Sequence, residues 1–208
     1  MNYKPLVIAI SAIAAGGKST VVQELAERLD DAVAIYFDDY TTPETYPDDP
    51  TAVLEAGADF NMIQSPLLAQ HLNELRSGKA VVSPTTGAII SPARHIVFEG
   101  PLGRAQRETG QYVDFLVFID TPLEVGLARM ISRAIARPEL ETMDKDALLG
   151  RFQSMAGLID GYLAWMRKGY LAQFEQIKPD SDLVLDWEQS PDRMVESIIG
   201  ALAETRLI

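Results

Sequence analysis

The sequence predicts an α/β fold, a five-stranded parallel sheet with helices on both faces. Three observations predict it. Five short runs are apolar throughout, amphipathic helical patterns fall between them, and a glycine turn joins the first run to the first helix. Strands covered on both faces read as unbroken apolar runs, whereas half-solvated strands alternate. Strands that take turns with helices need the crossover connections of a parallel sheet.

The elements follow in order. The first run, Leu6–Ser11, leads through "AIAAGGKST" into a helix at Ser19–Leu29, where Val21, Val22, Leu25, Ala26 and Leu29 share one stripe. The second run, Val33–Phe37, ends at Asp38 and Asp39, and a helix is expected at Pro66–Ser77. "AVVSPTTGAIIS", Ala80–Ser91, reads as a small hairpin turning at Thr86-Gly87. The third run, His95–Glu99, stops at Gly100; the fourth, Phe115–Asp120, precedes Pro122, which suits the first turn of a helix at Leu123–Ala136. A long helical pattern, Lys145–Gln176, precedes the fifth run, Leu183–Asp186, and Asp192–Thr205 is the last helix. No linker divides the chain. It is read as one domain, residues 1–208, with an insertion at about 40–93 and a helical lid at about 134–157.

Composition narrows the function. The 208 residues carry a formal charge of −12, which argues against nucleic acid as a partner, because phosphate backbones call for basic surfaces. The absence of cysteine excludes a disulfide framework, a thiolate zinc site and a cysteine nucleophile, and two histidines cannot build a three-histidine metal site. No apolar run approaches the roughly 20 residues that span a bilayer, so no membrane partner is expected. Together these fit a cytoplasmic protein. The start of the chain has a leader-like apolar run behind Lys4, with Ala-x-Ala at Ala12–Ala14. Cutting there would delete the expected central strand, so the segment is read as part of the fold.

Strand, glycine-rich turn, Lys-Ser and helix make the plan of a phosphate-binding loop, and with the strand order above they predict the P-loop NTPase fold. Backbone amides of Ala14, Ala15, Gly16, Gly17, Lys18, Ser19 and Thr20 are expected to face the phosphates, aided by the helix N-terminus. Lys18 supplies a mobile point charge for the terminal phosphates. Ser19 offers a hydroxyl to magnesium, a hard cation that keeps most of its waters. Ala12 stands where the motif has its leading glycine. A positive φ there would cost about 1–2 kcal/mol, small beside a cradle of several amides.

Downstream residues give the class. The guanine and switch motifs of GTPases and the signature of ABC transporters do not occur. Asp38 ends the second strand beside the loop, where an open α/β sheet binds its ligands, and a carboxylate there can take the proton of an attacking hydroxyl. Glu99 ends the third strand at the same edge, placed to hold a magnesium-bound water or orient the acceptor. Arg129, Arg133 and Arg137 recur every four residues on one helix face, as cations that neutralise a transferring phosphoryl group do. Between Asp38 and Asp59 there are seven acidic residues and no Lys or Arg, and before Ala93 only Arg76 and Lys79 are basic. A neutral or cationic hydroxyl compound suits that surface better than one already phosphorylated.

The ordered set "IAISAIAAGGKST", "YFDDY", "IVFEGPL", "DFLVFIDTPLEVGLARMISR" and "YLAWMRKGYLAQFEQIKPDSDLVLD" resembles the uridine kinase-like P-loop kinases, which include uridine-cytidine and nicotinamide riboside kinases. The resemblance implies ATP and Mg2+, with a nucleoside-like small molecule as acceptor. It makes Asp38 the base for a sugar 5′-hydroxyl, sets Glu99 beside Ser19 at the metal, and gives Arg129 and Arg133 the phosphates. It offers Asp59 for the ribose. An acceptor could stack on an aromatic, Tyr36 or Tyr40 being nearest the expected base. The chain departs from that family at Ala12, at Ala134 where an Asp commonly follows the lid Arg, and at "VVSPTTGAIISPAR", which lacks the Tyr and His that grip a pyrimidine. Other acceptors (a sugar, a vitamin precursor, a nucleoside monophosphate) and a non-catalytic nucleotide-binding regulator therefore stay open. Tyr162, Trp165, Met166, Tyr170 and Phe174 are spaced like core packing. His71 is expected on a helix surface, and neither it nor His95 is given a catalytic role.

Overall fold

The computed structural model describes residues 4–135 and 143–208. In chain order it contains β1 (Leu6–Ser11), α1 (Lys18–Arg28), β2 (Ala32–Ile35), α2 (Ala52–Glu55), α3 (Pro66–Arg76), β3 (Val81–Val82), β4 (Ile89–Ile90), β5 (His95–Glu99), α4 (Arg107–Gly110), β6 (Phe115–Asp120), α5 (Leu123–Ile135), α6 (Lys145–Gly161), α7 (Arg167–Gln176), β7 (Leu183–Asp186) and α8 (Pro191–Glu204). Arg137 and the early part of the expected lid lie outside the described residues.

The main sheet runs β2-β5-β1-β6-β7 with every pairing parallel. β1 is central, paired Leu6 to His95 on one side and Ile8 to Phe115 on the other. Successive side chains of a strand point to opposite faces. Val7 and Ala9 therefore join Phe98, Leu116 and Phe118 under Leu68, Leu72 and Leu75 of α3. Ile8 and Ile10 pack on the other face with Val21, Val22 and Leu25 of α1 and Val195, Ile198 and Leu202 of α8. Each face has its own core, which is why the strands are apolar at every position. The hairpin β3-β4 pairs antiparallel outside this sheet.

Two local expectations change. β2 ends at Ile35, and residues Phe37–Tyr40 form a 3₁₀ turn that sends Phe37 and Tyr40 inward. The pattern read as one helix over Lys145–Gln176 contains a π-helical stretch, Tyr162–Met166, between α6 and α7. Among the described residues no helix is long and apolar enough to cross a membrane.

His71 is corrected from a surface to a buried residue. It is 7% exposed on the inner face of α3, and its Nδ1 shares a hydrogen bond of 3.0 Å with the Tyr40 hydroxyl. Burial pushes the imidazole below its ordinary value of 6.5. The unfolded chain thus binds a proton that the folded chain refuses, and stability is lost as pH falls below about 6.5. Replacing Tyr40 by Phe strips the ring of its partner, and the urea midpoint should drop by the equivalent of about 1–3 kcal/mol. An unchanged midpoint would contradict the pairing.

Candidate active site

The turn between β1 and α1 stands at the C-terminal edge of the sheet. Its shape follows from crowding. A Cβ on Gly16 would come within 2.7 Å of the Ala12 Cβ and 2.9 Å of the Ile13 carbonyl oxygen, so only glycine closes the loop there. Gly17 caps α1 at φ 99°, a left-handed conformation that glycine adopts freely. Ala12 itself is buried without a positive φ; the strained position is Ala15, at φ 56°. The missing leading glycine therefore leaves the loop intact. The Thr121 hydroxyl donates to the Gly16 carbonyl at 3.1 Å, and Gly126 lets α5 press against Ile13.

The start of α1 is open to an anion. No side chain caps it and no acid lies in its first turn. The N–H groups there have no intrahelical acceptor, and the helix dipole adds positive potential. Lys18 folds back over the loop, its Nζ donating to the Ala12 and Ile13 carbonyls at 3.1 and 3.0 Å. Burial holds its pKa below the ordinary 10.5, partly opposed by Glu99 and Asp38 and reinforced by Arg133.

These groups border one cavity of about 680 Å³. Ala14 to Thr20, Asp38, Glu99 and Arg133 all line it. Glu99 is 6% exposed and its Oε1 accepts the Ser19 hydroxyl at 2.8 Å. That pair of hard oxygens fits magnesium held mainly by phosphate and water. Among the described residues no cluster of three His, Cys, Asp or Glu offers an all-protein metal cage, so Ser19 and Glu99 are the residues that would hold one. The Asp38 side chain has no protein hydrogen bond among the described residues and faces the cavity from the 3₁₀ turn.

Three expected site residues lie elsewhere. The assignment of Tyr40 to the acceptor is corrected: it is 6% exposed and bonded to His71 within the core. Asp59 is exposed and turned to its own turn, where its carboxylate accepts the Asn61 N–H at 3.0 Å and the Asn61 side-chain amide at 2.7 Å. Those bonds hold its pKa below the usual carboxylate value. Its neighbour Phe60 lines the cavity instead. Arg129 reaches the loop from outside, with Nη1 3.3 Å from the Ala15 carbonyl and its guanidinium over Trp187.

The sequence reading missed the far wall. Tyr46, Val53, Leu54 and Ile63 of the insertion face Trp165, Met166, Gly169, Tyr170 and Gln173 across the cavity. Positions 165, 169 and 173 recur every four residues with a glycine between two large side chains. That spacing matches core packing, so only the gap at Gly169 hinted at a ligand wall.

Fold and site together define a P-loop phosphotransferase. Residues 7–138 match the phosphoribulokinase / uridine kinase family, and the chain belongs to that family. It is 26% identical over 200 residues to a uridine kinase of Haemophilus influenzae, covering 88% of each chain, and 23% identical over 216 residues to one of Clostridium tetani, covering 98% of this chain and 97% of the other. Among solved structures it is similar to a possible uridine kinase from Bacillus stearothermophilus, with a TM-score of 0.52 and 15% identity over 89% of this chain and 91% of that one. A sugar kinase from Janibacter sp. HTCC2649 gives a TM-score of 0.53 and 18% identity over 96% and 95% of the two chains.

The lowered pKa of Lys18 sets a pH dependence. Triphosphate favours the ammonium form, so binding takes up a proton once pH passes the depressed value. Affinity for a fluorescent ATP analogue should weaken as pH rises towards 10.5, and Lys18→Met should flatten that slope. The same slope in the variant would assign it to another group.

Proposed function

We propose that this protein is an ATP- and magnesium-dependent kinase that moves the γ-phosphoryl group to a hydroxyl of a nucleoside-like small molecule, working in the cytoplasm. The observation that carries this reading is the Asp38 carboxylate, unbonded among the described residues, which faces the same cavity as Lys18, Ser19, Glu99 and Arg133. The loop amides take the phosphates, and Lys18 exchanges two carbonyls for the terminal phosphate oxygens. Asp38 accepts the proton of the acceptor hydroxyl as its oxygen bonds to phosphorus. The bond from phosphorus to the bridging oxygen breaks, and ADP departs. Arg133 offsets charge on the transferring group. Ser19 and Glu99 would hold magnesium, which when bound supplies further neutralisation across the phosphates. The arm at about 134–157 acts as a lid that excludes water.

Support for an unphosphorylated acceptor comes from the two nearest basic residues of the insertion. Arg76 is spent on Asp114 at 2.5 Å, and Lys79 is exposed. Neither borders the cavity. The relatives named above as uridine kinases support a nucleoside-like acceptor.

Asp38→Asn should lower kcat roughly 10²- to 10⁴-fold, the usual contribution of a positioned base, while ATP affinity changes less than about twofold because the loop is untouched. Coupled-assay turnover together with a nucleotide titration measures both. Unchanged turnover would remove Asp38 from the mechanism.

A further inference from the structure

This inference rests on the kinase reading above and concerns how the same cavity chooses its acceptor. Gln173 is 8% exposed, lines the cavity, and its Oε1 has no hydrogen-bond partner among the described residues. Its neighbours in kind are satisfied. The Gln106 carboxamide oxygen accepts the Thr109 hydroxyl at 2.8 Å, and the Gln176 amide donates to the Ala58 carbonyl at 3.1 Å. Buried polar groups are hydrogen-bonded as a rule, so a shielded, unpartnered carboxamide oxygen on a residue that lines a cavity would be completed if the carboxamide turned towards a ligand there.

The place of Gln173 says which part of the ligand it meets. Burial raises the pKa of Tyr46, with a smaller contribution from the Asp38 carboxylate. Burial raises that of Tyr170, with smaller contributions from Tyr162 and Tyr46, so the two rings lie in sequence between Asp38 and α7. Tyr170 and Gln173 are three residues apart on α7, hence on one face. The cavity therefore runs from Asp38 past Tyr46 on the insertion side and Tyr170 on α7 to the carboxamide. Val53, Phe60 and Ile63 of the insertion line it beside Tyr46 without a charge. The Gln176 bond to Ala58 fixes α7 against the insertion one turn further on. A molecule with its hydroxyl at Asp38 extends between aromatic and aliphatic faces and ends at Gln173.

We propose that Gln173 is the specificity-determining residue of the acceptor pocket and reads the paired donor-acceptor edge of a flat, uncharged heterocycle. A carboxamide presents one donor and one acceptor side by side in a plane. A lactam, imide or amino-azine edge matches both. A carboxylate or phosphate brings no donor for Oε1, and a hydrocarbon ring leaves both groups unmet. Charge is unwelcome in a wall with no counter-ion, and flatness suits the slot between the rings.

The test compares kcat/KM for uridine and N3-methyluridine, whose edges differ by one N–H, in the wild type and in Gln173→Met, which keeps the volume and removes both polar atoms. The wild type should prefer uridine by about tenfold or more, because a site built to hydrogen-bond a group rejects the analogue without it. In the variant the two acceptors should differ by less than about twofold. A wild type that treats them alike, or a variant that keeps the preference, overturns the inference. If the wild type phosphorylates another hydroxyl compound but neither of these, the inference falls and the kinase reading stands. If no hydroxyl compound is phosphorylated, the kinase reading itself has failed. Should the variant not fold, crystals of the wild type with uridine decide: the Gln173 carboxamide within about 3.2 Å of the ring edge supports the inference, and a carboxamide turned away from the ring overturns it.

Discussion

Unpaired N–H groups at the start of α1 are the constraint on which the rest depends. A helix end inside a protein needs partners for its first donors, and here the chain provides no side-chain cap and no first-turn acid. Everything nearby preserves that opening. Gly16 and Gly17 give the backbone its close curve, Thr121 and Arg129 hold loop carbonyls from behind, and Lys18 rests on Ala12 and Ile13. The ammonium is thus parked on neutral carbonyls, where burial disfavours its charge. Phosphate oxygens would be better partners for that charge, and on the proposed function this difference favours nucleotide binding.

The cavity has two chemistries. Towards the loop it is cationic and rich in donors, with Lys18, Ser19 and Arg133 around the phosphate position and Glu99 beneath. Away from the loop it is aromatic and aliphatic, built by the insertion on one side and by the π-helical stretch and α7 on the other. Asp38 stands between them. On the proposed function this division would separate the two substrates by their physical nature, each held where its charge or its apolar surface is compensated.

The sheet was legible in the sequence because its strands are covered on both faces. Leu6–Ser11, His95–Glu99, Phe115–Asp120 and Leu183–Asp186 have the expected bounds. The loop was legible because glycine, lysine and serine at that spacing serve one purpose. Asp38 and Glu99 were expected beside the loop from apolar runs that end near them, and both line the cavity, Glu99 from the end of β5 and Asp38 from the turn after β2. Tyr40 was placed at the acceptor by nearness in sequence, which says little within a 3₁₀ turn: two residues beyond Asp38 the chain has turned the Tyr40 ring inward to His71. Asp59 came from the resemblance alone, and its carboxylate is taken up by Asn61. The wall made by Trp165, Met166 and Tyr170 was hidden for a different reason. A π-helical stretch departs from the 3.6-residue period on which pattern reading relies, and large apolar side chains facing a ligand look like those facing a core.

The most direct test is a crystal structure with a non-hydrolysable ATP analogue, magnesium and an acceptor. The account requires the terminal phosphates on the amides of Gly16 to Thr20, Lys18 Nζ moved from the Ala12 and Ile13 carbonyls onto phosphate oxygen, and the acceptor hydroxyl hydrogen-bonded to Asp38. Phosphates bound elsewhere, with Lys18 still on its carbonyls, would contradict it.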